Sequence, residues 1–324
     1  MALATELTKR LHIRHPVLLA PMGAVSGGRL AAAVTRAGGL GLLGPGYFGP
    51  DWIEQQFDAA GNTAVGIGFI TWHMEKHPEQ LETALAHKPR AVMLSFGDPA
   101  PFAPKIKSAG AHLICQVQDE AMAQQALAAG ADILIAQGTE AGGHGATRTT
   151  VDLVPAIVDL AAGRVPVVAA GGIADGRGLA AMMMLGASGV LLGTRFYASI
   201  EADGADDAKQ RICKAASGST VRGIIFDLSR NNVWPAPFTG RCLVNDHARR
   251  WIGHEVELMQ NVAAVSADYA AARAAGNFDV AAVIAGEAVG LIHDIPPAAE
   301  IVERIATEAE QHLAGTRNSV VTAA

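Results

Sequence analysis

Residues 166–196 read PVVAAGGIADGRGLAAMMMLGASGVLLGTRF, and this stretch decides the fold. It holds two short apolar runs, Pro166–Ala170 and Ser188–Leu192, separated by the Ala-, Leu- and Met-rich segment Arg177–Leu185. Runs that are apolar throughout, rather than alternating, belong to strands buried on both faces. Strong helix formers without an interior breaker make the segment between them a helix. Strand, glycine turn, helix, strand, glycine turn is a unit of parallel sheet.

The same rhythm extends towards the N-terminus. Apolar runs recur at Val17–Ala20, Leu40–Leu43, Ala64–Ile70, Ala91–Phe96, His112–Val117 and Asp132–Ala136, with helix-like segments such as Arg29–Ala37 and Ala121–Ala129 between them. Their spacing of roughly 20 to 35 residues is what a strand, a crossover helix and two short loops require. Eight such runs at a regular repeat predict an α/β chain folded as a closed (β/α)8 TIM barrel rather than a doubly wound open sheet. Such barrels run to about 250 residues as one unit, so a chain of 324 residues has room for an insertion. Segment 206–276, with Trp234-Pro235-Ala236-Pro237-Phe238 and Arg249-Arg250-Trp251, breaks the rhythm and reads as a small helical insertion domain after the eighth strand. The barrel is then expected from 1–205 and 277–324. Its last helices should lie within Val280–Ile305, and the tail should fray after His312.

A net charge of −6 with no long basic run argues against nucleic acid as a partner. No stretch supplies the roughly 20 consecutive strongly apolar residues of a membrane span. Met1–Arg14 mixes Glu6, Lys9, Arg10 and His12 with apolar residues, unlike a secretory signal, so the expectation is a cytoplasmic protein. Cys115, Cys213 and Cys242 are odd in number and widely spaced, and read as buried or free thiols. Neither a metal cluster nor an activated serine is discernible. Small molecules are the expected partners, and a homodimer is left open.

A barrel of this type carries its site at the C-terminal ends of the strands. Those ends read Ala20-Pro21-Met22-Gly23, Gly44-Pro45-Gly46, Thr71-Trp72-His73, Gly97-Asp98, Gln116-Val117-Gln118, Gln137-Gly138, Gly171-Gly172 and Gly193-Thr194. Glycine and uncharged polar groups suit a large planar ligand, which needs close backbone approach and hydrogen bonds. Gly171-Gly172 and Gly193-Thr194 end the seventh and eighth runs, where this fold binds phosphate on backbone N–H groups. Gly39-Leu40-Gly41-Leu42-Leu43-Gly44 spells a dinucleotide fingerprint, yet its glycines lie inside the second run and lead into Pro45 rather than standing between a strand and a helix as the fingerprint requires. The glycine-rich loop Gly138–Gly145 carries one imidazole, His144, which is placed to exchange a proton near neutral pH. His73 reads as part of an exposed helix, and Trp72, Trp234 and Phe238 as packing aromatics or the lining of an apolar pocket.

Five motifs in order, Ala20-Pro21-Met22, Gln116-Val117-Gln118, Ala136–Gly145, Ala169–Gly178 and Gly193-Thr194-Arg195-Phe196, resemble the nitronate monooxygenase family, formerly called 2-nitropropane dioxygenases. The resemblance implies FMN on a barrel, a helical substrate domain after the eighth strand, and oxidation of alkyl nitronates such as propionate 3-nitronate by O2. It implies FMN contacts from Pro21, Met22, Gln116, Gln137, Gly138, Gly143, Gly171, Gly172, Gly193 and Thr194. His144 would act as acid/base or as a polar anchor near the reactive flavin nitrogen. Glu287 stands where relatives often have Gln. The Glu140–His144 loop is also similar to that of FMN-dependent enoyl-acyl-carrier-protein reductases and, more loosely, NADH:quinone reductases. Those tend to carry Gly-Gly-Met where this chain has Ala20-Pro21-Met22, which favours the nitronate branch and keeps an NAD(P)H oxidoreductase as the alternative.

Overall fold

The structure is a computed structural model, and it describes residues 3–319. Eight parallel strands form the barrel: β1 (Val17–Leu19), β2 (Leu42–Leu43), β3 (Gly66–Ile70), β4 (Ala91–Ser95), β5 (His112–Val117), β6 (Ile133–Gln137), β8 (Val167–Ala170) and β9 (Gly189–Leu192). Between β6 and β8 in the chain lies the short strand β7 (Gly143–Gly145), which belongs elsewhere. Neighbouring barrel strands pair in chain order, β9 returns to β1, and a parallel bridge between Leu18 and Leu40 joins β1 to the approach of β2. All eight expected strands are present, with boundaries within two residues of those read in the sequence.

Alternation along each strand sorts the side chains into two layers. Leu18, Leu42, Met93, Ile114, Ile135 and Val168 fill the barrel interior. Leu19, Leu94, Val117, Leu134, Val190 and Leu192 face the surrounding helices. The third strand departs from this rule, because its inward positions are glycines. A Cβ on Gly68 would lie 2.3 Å from Pro21 Cγ, so the missing side chain makes room for Pro21 to plug the top of the barrel. The spelled fingerprint has a packing explanation too. A Cβ on Gly41 would lie 2.0 Å from the Ala31 carbonyl oxygen, and one on Gly44 would lie 2.5 Å from the Met22 amide.

The helix Ala298–Ser319 completes the helical ring and packs on the helix Gly176–Met184, where Gly176 admits Glu308. Two expectations change here. Val280–Pro297 is largely non-helical apart from the 3-10 turn Glu287–Leu291, because Gly286 and the Pro296-Pro297 pair interrupt it. The final helix also continues past His312 to Ser319, and the rest of the tail expected to fray, 320–324, lies outside the described residues.

After β9 the inserted segment holds the helices Asp206–Lys214, Ile225–Ser229, Asp246–Trp251, Glu255–Gln260 and Val262–Ala274. It also contributes two strands that the helical reading missed, β10 (Thr220–Gly223) and β11 (Thr239–Leu243). These pair antiparallel, and β11 pairs in turn with β7 from the barrel loop. A separate apolar cluster, including Phe226, Trp251, Leu258 and Tyr269, holds this segment together. Among the described residues no helix is long and apolar enough to cross a membrane.

Candidate active site

The mouth of the barrel has two unlike sides. On one side β8 and β9 end in Gly171-Gly172 and Gly193-Thr194. Gly171 and Gly172 have φ of 106° and 73°, conformations that a side chain rarely tolerates. A Cβ on Gly171 would also press within 3.0 Å of the Thr150 hydroxyl and the Gly138 carbonyl. Among the described residues the amides of Gly171, Gly172, Gly193 and Thr194 have no acceptor. Asp175 caps the following helix through the amides of Arg177 and Gly178, at 3.0 and 3.2 Å, so that helix starts immediately beyond the glycine turn. The Thr194 hydroxyl accepts the Gly286 amide at 2.9 Å and keeps its own proton to donate.

On the floor, Gln137 joins the ends of β5 and β6. Its side-chain oxygen accepts from the amides of Gln116 at 3.0 Å and Gln118 at 2.9 Å. The buried Gln118 Oε1 and Trp72 Nε1 have no hydrogen-bond partner among the described residues. Met22 completes this floor, its sulfur within 3.4 Å of where a Gly193 Cβ would be.

The other side is carried by the three-stranded sheet. Gly240 of β11 lies opposite His144 of β7, with Thr239 opposite Gly145 and Arg241 opposite Gly143. Gly143 needs its glycine for a φ of 73°. Arg222 of β10 reaches under the loop and donates to the carbonyls of Thr139, Ala141, Gly143, Gly145 and Thr239. Burial and the neighbouring Arg241 lower its pKa to about 10, which leaves it charged at neutral pH. Arg241 donates to the Thr139 carbonyl at 2.9 Å and pairs with Glu287 at 2.8 Å. Two arginines therefore hold a loop that has almost no side chains of its own.

His144 Nε2 lies 2.9 Å from Asp227 Oδ2, with the two side chains 9% and 4% exposed. The other oxygen of Asp227 accepts from Arg230 at 2.7 Å. With Nε2 donating to the Asp227 carboxylate, Nδ1 is the unprotonated nitrogen of the ring. Burial lowers the His144 pKa below the ordinary histidine value, opposed by Asp227 and assisted by Arg230 and Arg222. The imidazole is therefore neutral at pH 7, further from its usual titration range than the sequence alone implies. The Trp234 ring stacks on it at 3.4 Å, and Trp234 meets Trp72 and Phe96 edge to face.

A family model described as nitronate monooxygenase matches residues 4–64 and 58–308. The chain belongs to the nitronate monooxygenase family. It is accordingly an oxidoreductase of that family. The nitronate monooxygenase npaC of Metarhizium robertsii is 35% identical, with 90% of each chain covered. The (3aS,4S,5R,7aS)-5-hydroxy-7a-methyl-1-oxo-octahydro-1H-indene-4-carboxyl-CoA dehydrogenase of Mycobacterium tuberculosis is 29% identical, covering 97% of this chain and 98% of that protein. Among solved structures, FabK from Thermotoga maritima superposes with a TM-score of 0.86 at 30% identity, covering 98% of this chain and 99% of that one.

Within this family frame, the motif residues sort by position. The structure brings Met22, Gln116, Gln137, Gly171, Gly172, Gly193, Thr194 and His144 to the C-terminal face of the barrel. Pro21 packs down on Gly68, and Gly138 is glycine because a Cβ would lie 2.1 Å from the Thr150 hydroxyl. His73 sits in the four-residue helix Thr71–Met74 between Tyr47 and His77, part-buried rather than exposed. Sequence reading missed Asp227, Arg230 and Arg222. Asp227 and Arg230 lie in an ordinary Ile-Phe-Asp-Leu-Ser-Arg stretch and Arg222 lies on β10, and the pairing of β10 and β7 with β11 ties this segment to the His144 loop. The one available signal was the density of arginines, Arg222, Arg230 and Arg241, in a segment otherwise rich in apolar residues.

Proposed function

We propose that the chain binds FMN across the barrel mouth and oxidises alkyl nitronates with O2, with His144 as its acid/base residue. The observation that carries this reading is the buried His144–Asp227 pair at the same barrel mouth as backbone amides that have no acceptor among the described residues. The residues fit an FMN-sized group. The free amides of Gly171, Gly172, Gly193 and Thr194 suit a phosphate, and the orphaned Gln118 Oε1 and Trp72 Nε1 suit the donor and acceptor edges of a flavin ring. Pro21, Met22, Gln116, Gln137, Gly138 and Gly143 would complete the holding set. When bound, FMN supplies the electron-transfer chemistry that no side chain here can supply.

The protein's part is orientation and proton control. Asp227 fixes the Nε2–H tautomer, and Arg230 fixes Asp227. A neutral nitroalkane would lose its proton to Nδ1. A pre-formed nitronate is already an anion, and its charge, added to that of Asp227, favours a proton on Nδ1. The resulting N–H then donates to a nitro oxygen and holds the substrate in place. Trp234, lying on the ring, excludes water from one face of His144.

A second reading, an FMN-dependent NAD(P)H oxidoreductase, has the full-length similarity to a CoA dehydrogenase in its favour. Anaerobic mixing of the FMN-loaded protein with propionate 3-nitronate, NADH or NADPH separates the two. Bleaching of the flavin absorbance by the nitronate alone is the expected result. Bleaching by a nicotinamide with no response to nitronate would transfer the protein to the second class.

A further inference from the structure

The ends of β2 and β6 lie on opposite sides of the barrel mouth, because four strand steps separate them whichever way round the barrel is followed. A row of side chains crosses between them. His144, in the loop after β6, is covered on one face by the Trp234 indole, whose plane lies 5° from that of the imidazole. Trp234 in turn donates its Nε1 hydrogen to the Tyr47 hydroxyl at 2.9 Å, and Tyr47 stands in the loop after β2.

The two ends of this span differ in burial. Trp234 is 8% exposed and Tyr47 is 44% exposed, with the Tyr47 ring edge to face against His73 at 5.1 Å. Edge-to-face contacts of Trp234 with Trp72 and Phe96, at 5.4 and 5.0 Å, tolerate small rotations, whereas a hydrogen bond is directional. The bond to Tyr47 therefore fixes the angle at which the indole lies on His144. Burial raises the Tyr47 pKa above its ordinary value, so the hydroxyl stays neutral and able to accept throughout the range in which a histidine titrates.

We infer that Tyr47 is a positioning residue of the site: its hydroxyl clamps the Trp234 indole onto His144 and thereby keeps water from that face of the imidazole. The role of His144 is taken from the proposed function, while the clamp stands on the geometry alone. The charged groups that bear on the imidazole are Asp227 and Arg230, on and beside the helix Ile225–Ser229, and Arg222 on β10. β11 adds Arg241, which is paired with Glu287. Tyr47→Phe alters none of these charges and keeps the ring, so its effect on His144 runs through Trp234. Burial is the largest influence on His144, and it favours the neutral imidazole. An indole face attracts a cation, but less strongly than desolvation disfavours one. Loosening Trp234 therefore makes His144 easier to protonate, the reverse of what loss of Asp227 does.

NMR of the full-length chain, isotope-labelled at the histidine Cε1 and supplied with excess FMN, reads the His144 titration without turnover, the His144 signal being the one absent from His144→Asn. Tyr47→Phe should move its midpoint up, towards the ordinary histidine value. Trp234→Phe should do the same, since the smaller ring covers less of the imidazole and offers no N–H. The double variant should titrate as Trp234→Phe alone does, because the two residues act through one bond. An unmoved midpoint in Tyr47→Phe, or shifts that add in the double variant, would overturn the inference. In parallel, the pH dependence of kcat/KM for propionate 3-nitronate is recorded on the same proteins. An NMR midpoint that moves while the kinetic profile stays in place keeps the clamp and removes His144 as the acid/base residue. A kinetic profile that follows the His144 midpoint, with neither moved by Tyr47→Phe, does the reverse.

Discussion

The two sides of the mouth are built on different principles. The β8–β9 side is backbone: two glycine-bearing turns at adjacent strand ends, whose amides have no acceptor among the described residues. The His144 side is side-chain work. A three-residue strand is paired with β11 and bonded by Arg222 of β10, both from the segment after β9. Arginines supply the hydrogen bonds that the loop cannot make for itself. A backbone site is local and is written in consecutive residues. A side-chain site of this kind depends on tertiary pairing, and substitutions far along the chain can break it.

That contrast orders the expected effects of mutation. The largest is His144→Asn, which should lower turnover by about 10²- to 10⁴-fold while FMN absorbance is retained, since loss of a positioned acid/base group costs that much. Retained turnover in the folded, FMN-loaded variant would remove His144 from the chemistry. Arg222→Met comes next. It leaves loop carbonyls without a donor and should cost about 3 kcal/mol in urea unfolding, with activity lost because β7 is no longer held. An unaltered unfolding midpoint would show that β11 holds the loop unaided.

Asp227→Asn should lower kcat by about 10- to 100-fold, the worth of one hydrogen bond to a charged partner. It should also move the pH dependence of kcat/KM to lower pH, because Asp227 is the group that raises the His144 pKa against burial. The smallest effect belongs to the backbone side. Gly172→Ala places a side chain at a φ of 73° and should cost about 1–2 kcal/mol, read as weaker FMN binding with kcat of the loaded enzyme little changed. A loss of kcat equal to that of Asp227→Asn would erase the distinction between the two sides.

How much of this was legible in the sequence follows the same division. The barrel strands are double-faced apolar runs, so composition alone marked them, and His112–Val117 matched to the residue. The glycine turns after β8 and β9 were legible because they sit immediately after those runs. β10 and β11 were not, since strands carrying Arg222 and Arg241 lack both an apolar run and a clean alternation. β7 is Gly-His-Gly and has no strand signal at all. Val280–Pro297 misled in the opposite direction. Val283, Ala285, Val289 and Ile292 are apolar because they are buried in the main core, and their spacing imitates a helix. The His144 pKa was misjudged because burial by Trp234 and pairing with Asp227 are properties of the fold alone.

The most direct test is the pH dependence of kcat/KM for two substrates of one enzyme, a freshly prepared nitronate and its neutral nitroalkane. A neutral His144 that must gain a proton to hold the anion makes the nitronate profile fall as pH rises. A His144 that must accept a proton makes the nitroalkane profile rise. Both should turn at one midpoint below the ordinary histidine value of about 6.5, and that midpoint should drop in Asp227→Asn. Flat profiles, or midpoints that differ between the substrates and ignore Asp227→Asn, would contradict the assignment of His144 and Asp227 as the proton-handling unit.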